Sequence, residues 1–186
     1  MQITVCGMPG SGKSTLTRML ARKYKLKTYS MGGMQREIAK SKGISITTLS
    51  KLEESDSAID REVDEYQRKL GKTEDNFVIE GRTGFHFVPK SIKILLSVSP
   101  EEGARRIKKG NRPGEKAKSE KEMIKFWKER FNADAKRYKK FYNINIYNKE
   151  NYDFVLDTTN LSIAEVFSKV KKFLEGTLGC SEKRLL

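Results

Sequence analysis

Cysteine, histidine and long apolar runs are scarce in this 186-residue chain, and each shortage removes a class of protein. Two cysteines, Cys6 and Cys180, make no disulfide framework, so both read as free thiols of a reducing compartment. With one histidine, His86, there is no His/Cys cluster for a zinc site. His86 lies among Phe85, Phe87 and Val88 and reads as packing or a pocket wall. No apolar run approaches the roughly 18 residues that a membrane-spanning helix needs. The N-terminus passes straight into an apolar segment with no secretory-leader pattern, so the expected location is the cytoplasm. Acidic residues are also outnumbered: 38 Lys+Arg against 24 Asp+Glu give a net charge of +14. That excess suits polyanionic partners such as nucleotides or nucleic acid; its plainer reading is a lysine-rich solvated surface. A guanine-reading N-K-x-D motif is missing, and there is no internal repeat.

What is present begins at the N-terminus. Ile3 to Cys6 read as a short apolar strand, and Gly7 to Ser14 match G-x-x-x-x-G-K-S/T. Leu16, Met19, Leu20 and Tyr24 then recur at helical spacing. Strand, glycine loop and helix in that order form a phosphate-binding loop. Gly7, Gly10 and Gly12, with Ser11 and Thr15 beside them, let backbone N–H groups turn onto phosphate oxygens. The helix N-terminus opening at Lys13 adds its positive dipole end. Lys13 is placed to reach the β- and γ-phosphates, and the Ser14 hydroxyl to ligate Mg²⁺. The motif predicts a nucleoside triphosphate site.

Further along, residues 27–30 read as a second strand, followed by a turn at Met31-Gly32-Gly33 and a helix over 34–42. Ser45 or Thr47 caps a second helix through Leu49 and Leu52. A third runs over 57–70 and stops at Gly71. A minimal crossover needs only one helix, so residues 31–71 form a helical insertion. Residues 76–80 are a third strand, ending in Glu80-Gly81-Arg82, and residues 92–98 a fourth, apolar enough for a buried parallel sheet. Pro100 opens a helix to about Lys109, residues 110–121 form a mobile polar loop, and a long helix spans 119–142. Residues 152–157 are a fifth strand, 161–175 a last helix, and 176–186 a frayed tail. Asp157 to Asn160 either line a base pocket or cap that helix. Alternating strands and helices predict one three-layer α/β domain with a five-stranded parallel sheet. Its core is residues 1–30, 72–110 and 143–175, with a lid and following helix over 111–142. Ligands in such sheets bind beyond the carboxyl ends of the strands, where the glycine loop, Glu80-Gly81-Arg82 and Asp157 all emerge.

Arginines stand at element ends: Arg36, Arg82, Arg106, Arg112, Arg130 and Arg137. Guanidinium forks hold phosphoryl oxygens bidentately, so this set fits phosphoryl transfer between two phosphorylated ligands. Arg130, Asp134 and Arg137 stand at i, i+4 and i+7 on one helix face. They either clamp a phosphate and a ribose hydroxyl or form a solvated salt-bridge ladder.

The chain resembles a nucleoside monophosphate kinase of the P-loop superfamily, and within it a cytidylate kinase of the compact archaeal type. The resemblance rests on Gly7–Ser14 with Thr15, Met34-Gln35-Arg36-Glu37, and Ile59-Asp60-Arg61-Glu62-Val63-Asp64. It extends through Glu80-Gly81-Arg82 with Phe87-Val88-Pro89, Arg130-x-x-x-Asp134-x-x-Arg137-Tyr138, and residues 152–158. It implies that Lys13 and Ser14 serve ATP and Mg²⁺, with Glu80 ordering the metal's waters. Arg36, Arg82 and Arg137 would grip the acceptor phosphate, and Arg130 and Asp134 would seat acceptor ribose and phosphate. Arg106 and Arg112 would belong to a lid over ATP. Lys13, Arg82, Arg130 and Arg137 would be the catalytic groups, and the monomer the working unit. Cytidylate kinases often carry D-G-R-D, whose last Asp contacts the base; here Thr83 follows Arg82, so the base preference is open among CMP, dCMP and UMP. Kinases of alcohols need a carboxylate base instead, and Asp60, Asp64 and Asp134 are the candidates for a shikimate- or sugar-like acceptor. An RNA- or ribosome-associated ATP-binding protein is a third reading, resting on the +14 charge and on Tyr138, Phe141 and Tyr142 beside the basic run 136–140.

Overall fold

In the computed structural model, which describes residues 1–55, 58–110, 117 and 119–182, five parallel strands form one sheet. The strands are β1 (Gln2–Gly7), β2 (Lys27–Ser30), β3 (Phe77–Gly81), β4 (Ile92–Ser97) and β5 (Phe154–Asp157), in the order β2-β3-β1-β4-β5. The helices are α1 (Lys13–Tyr24), α2 (Met31–Ser41), α3 (Ile46–Ser55), α4 (Ala58–Thr73), α5 (Gly84–Phe87), α6 (Pro100–Lys109), α7 (Glu120–Tyr142) and α8 (Ile163–Glu182).

Strand alternation builds the layers. Ile3 and Val5, Val78, and Ile94 and Leu96 point to one face, where they meet Leu16 and Leu20 of α1 and Val170 and Leu174 of α8. Their neighbours Cys6 and Leu95 point to the other face, against Phe85, Tyr138 and Tyr152. Phe77 and Ile79 join Met31, Val63, Leu70 and Val88 beneath the insertion helices. Each fully buried aliphatic or phenyl side chain contributes about 1.5–3 kcal/mol, so these clusters hold the sheet rigid under its loops.

Three boundaries differ from the sequence expectation. Met31-Gly32-Gly33 is the first turn of α2 rather than a free turn. Ser30 caps it, its Oγ accepting the Gly33 N–H at 3.0 Å, and buried Met31 anchors it. First-turn N–H groups have no helical partner in any case, so two glycines there cost little hydrogen bonding. Gly71 does not end α4, which continues to Thr73. A Cβ at Gly71 would meet Val88 Cγ1 at 3.0 Å, so its smallness serves close packing rather than termination. The last helix runs through 176–182, where a frayed tail was expected; it starts on a capping box in which Ser162 and Glu165 bond each other's N–H. Residues 183–186 lie outside the described ones. Cys180 therefore falls within α8, while Cys6 is a buried free thiol. Among the described residues no helix is long and apolar enough to cross a membrane.

Candidate functional site

The glycine loop leaves β1 at the sheet's carboxyl edge and passes into α1. Gly10 and Gly12 sit in the left-handed region, with φ 76° and 89°. At Gly10 a second constraint acts: a Cβ would lie 2.4 Å from the Gly103 carbonyl oxygen, so loop and α6 touch backbone to backbone. The Lys13 ammonium donates to the Gly7 and Met8 carbonyls at 2.9 and 2.8 Å, which holds its charge across the mouth of the loop.

Glu80, at the end of β3, receives two hydroxyls. Ser14 Oγ donates to its Oε2 and Ser30 Oγ to its Oε1, both at 2.6 Å. Among the described residues no Lys or Arg pairs with this buried carboxylate. An oxygen-only pair, hydroxyl plus carboxylate, suits a hard cation that shares its remaining positions with phosphate and water. No group of three or more His, Cys, Asp and Glu that could hold a metal by protein alone exists among the described residues. The Ser14–Glu80 pair thus fits the Mg²⁺ that the resemblance implies.

A cavity of about 620 Å³ opens over the loop. Its walls bring together residues 9–16 with Arg36, Glu80, Gly81, Arg82, Glu102, Arg105, Arg106, Lys109 and Arg130, and with Leu161, Ile163 and Val166. Lys13, Arg36, Arg82, Arg105, Arg106, Lys109 and Arg130 against Glu80 and Glu102 make it strongly cationic. Phosphates are therefore favoured along the floor, and a flat apolar ring along Leu161, Ile163 and Val166. Arg106 is pinned: its Nε donates to Glu102 at 2.6 Å, and its Nη atoms donate to Thr158 Oγ1 at 3.0 Å and the Thr158 carbonyl at 2.7 Å. These bonds hold it as part of the α6 wall of the cavity. Arg112 lies outside the described residues. Residues 157–160 do not cap the last helix: Asp157 accepts the Thr159 N–H and hydroxyl, closing its own turn, while Ser162 caps α8.

Beside the cavity a buried ionic cluster joins α3, α4 and α7. Arg137 donates to Glu53 at 2.5 Å and faces Asp60 at 3.3 Å and Asp134 at 3.4 Å, all four side chains being at most 4 % exposed. Asp134 also pairs closely with Arg82, which reaches the cavity wall. The i, i+4, i+7 set is therefore split. Arg130 faces the cavity, whereas Asp134 and Arg137 are spent on one another and on the insertion. Burial pushes the Glu53 and Asp60 carboxyls up from their ordinary range, against the opposing pull of Arg137. Glu53 and Gln35, whose amide donates to it at 3.1 Å, went unnoticed in the sequence. The available signal was a carboxylate four residues after buried Leu49, and an amide four after buried Met31.

Thr83 does not open onto the cavity either. Its hydroxyl donates to Asp64 at 2.9 Å and accepts from Gln67 at 3.0 Å, and Gln67 also donates to Asp64 at 2.9 Å. Burial raises the Asp64 carboxyl to about 6. A folded value above the unfolded one favours folding below the unfolded value near 3.8, and that advantage is lost as pH rises through about 6. Asp64→Asn keeps the oxygen that accepts both bonds and cannot ionise. It should stabilise the fold by about 2 kcal/mol at pH 8 and change it little at pH 4. Urea titrations at the two pH values test this; an equal effect at both would refute it.

His86 stacks edge-on against Phe87, ring centres 4.7 Å apart, as packing. Trp127 is buried, and its indole N–H donates to the Pro9 carbonyl at 2.7 Å.

A glycine loop on a parallel five-stranded sheet, opening a helix beneath a cationic cavity, defines a P-loop kinase, a phosphotransferase. Residues 2–160 match the model of the cytidylate kinase-like family. The chain is 35 % identical to a cytidylate kinase of Methanocorpusculum labreanum over 91 % of its own length and 94 % of the relative's. It is 37 % identical to one of Methanothrix thermoacetophila over 85 % and 88 %. A shikimate kinase structure from Bacteroides thetaiotaomicron superposes with TM-score 0.65 at 17 % identity, covering 94 % of this chain and 98 % of that one, which is a likeness of fold. The chain belongs to the cytidylate kinase-like family.

Proposed function

We propose that the protein transfers the γ-phosphate of ATP to CMP or dCMP, and to UMP more slowly, giving the nucleoside diphosphate. What supports this most is one cavity lined both by the phosphate loop and by Arg36, Arg82 and Arg130, within a chain of this family. Donor triphosphate would lie on the loop N–H groups with Lys13 against its β- and γ-oxygens, and its base along Leu161 and Val166. Arg36, Arg82 and Arg130 would hold the acceptor phosphate. Asp134, fixed by Arg82 and Arg137, would orient Arg82 toward the acceptor. Arg137 acts in this scheme by holding Asp134 and α3 in place.

Chemistry is then positioning and charge. An acceptor phosphate oxygen is already an anion at pH 7, so it attacks the γ-phosphorus in line without a general base. The arginines and Lys13 neutralise the charge on the transferring oxygens, and the walls around Arg106 keep water out. Mg²⁺, held by Ser14 with Glu80 through its waters, would supply further neutralisation of the β- and γ-oxygens. Asp60 and Asp134, the base candidates for an alcohol acceptor, are engaged with arginine, and Asp64 with Thr83. That arrangement favours a phosphate acceptor.

The product tests this. With ATP, Mg²⁺ and CMP, ³¹P NMR should show coupled diphosphate resonances of CDP appearing with ADP. ADP with inorganic phosphate alone would refute the transfer.

A further inference from the structure

The glycine loop is fixed from outside by a residue far along the chain, Trp127 of α7. Its indole N–H is bonded to the Pro9 carbonyl at 2.7 Å across 118 positions of chain. Among the described residues no peptide bond is cis, and a trans peptide directs its C=O and N–H to opposite sides. With the Pro9 carbonyl turned out to Trp127, the Gly10 N–H of the same peptide is turned away from Trp127. Gly10 lines the cavity. Two glycines make the approach possible. A Cβ on Gly103 would stand 2.4 Å from Trp127 Nε1 and 3.0 Å from the Pro9 oxygen, and one on Gly10 would strike the Gly103 backbone. The indole is itself locked: it stacks on Phe131 at 5.2 Å and 9°, and Phe131 stacks on Tyr147 at 4.3 Å and 13°. Tyr147 lies within the field of Asp134, Arg82 and Arg130.

We propose that Trp127 is a positioning residue of the donor site, holding the Pro9–Gly10 peptide so that its N–H is presented to the donor phosphates. A loop N–H fixed before binding costs the ligand no reorganisation, which is where such a bond contributes to affinity. The aromatic stack ties this to α7, the helix that carries Arg130 and Asp134. The idea rests on the proposed phosphate role of the loop, but not on the identity of the acceptor.

The experiment is ADP binding by calorimetry, without acceptor, to wild type and to Trp127→Phe, with ATP turnover measured alongside. Phenylalanine keeps a ring in the stack and removes the N–H. ADP affinity should fall about tenfold, the size of one well-placed hydrogen bond, and KM for ATP should rise by a similar factor. KM for the acceptor should move less than twofold. A second variant, Gly103→Ala, keeps the indole but wedges it from Pro9, and should weaken ADP in the same direction. If Trp127→Phe does not fold, Gly103→Ala alone decides. ADP affinity within twofold of wild type in a folded variant, whatever the loss in Tm, would reduce Trp127 to packing and overturn the proposal. If wild type binds ADP but leaves CMP unphosphorylated, the acceptor assignment fails and this inference stands.

Discussion

Lys13→Ala should lower kcat/KM for ATP-dependent turnover by at least about 10²–10³-fold, the cost of removing one preorganised donor to transition-state oxygens. The ammonium now rests on the Gly7 and Met8 carbonyls, at 2.9 and 2.8 Å, so it is aimed across the loop before any ligand arrives. Those carbonyls are at the loop's edge, where water can replace the lost donor, so Tm should fall by only a few degrees. Steady-state kinetics with a thermal melt separate the two effects. Turnover within tenfold of wild type would mean that the transferring phosphate does not sit on this loop.

Arg137→Met should have the largest effect on stability. It strands Glu53 and Asp60 as buried carboxylates and leaves Asp134 with Arg82 alone, and removing one partner of a buried ion cluster costs about 3–5 kcal/mol. For a chain of this size that corresponds to a Tm loss of roughly 10 °C at pH 7. The loss should be smaller at pH 5 than at pH 7, because burial raises the Glu53 and Asp60 carboxyls and so favours their neutral forms as pH falls. Calorimetric melts at the two pH values check both the size and the sign. A variant that melts with wild type at pH 7 would show the cluster to be dispensable, and with it the idea that α3 and α4 are held to α7 through Arg137.

The strands and the loop were legible because their signals are local. Apolar Ile3–Cys6 before Gly7–Ser14, and the apolar run at Ile92, declare strand and motif within about ten residues. Insertion helices were visible by period, and their ends less so, because glycine carries two messages. Gly71 looked like a stop but is there to admit Val88, and Gly32 and Gly33 looked like a turn but sit in a capped first turn. The short α5 gave no periodic signal over Gly84–Phe87. At the site, Lys13, Ser14, Arg36, Arg82 and Arg130 were named from motif and charge and Glu80 from the resemblance, and all six line one cavity. Arg137 and Thr83 were named as ligand-facing groups. Their buried partners Glu53, Asp60, Asp64 and Gln67 lie up to 84 positions away, and nothing local announces such pairs. The bond made by Trp127 was not legible, because its partner is a backbone carbonyl at Pro9, which carries no sequence signal at all.

The most direct test of the central claim is ADP formation from ATP and Mg²⁺ with CMP, dCMP, UMP, AMP, GMP and shikimate as separate acceptors. The account predicts kcat/KM for CMP or dCMP at least about tenfold above every other acceptor, a gap that one or two lost hydrogen bonds to the base would produce. Turnover with shikimate alone, or none above the ATP-only background, would contradict it.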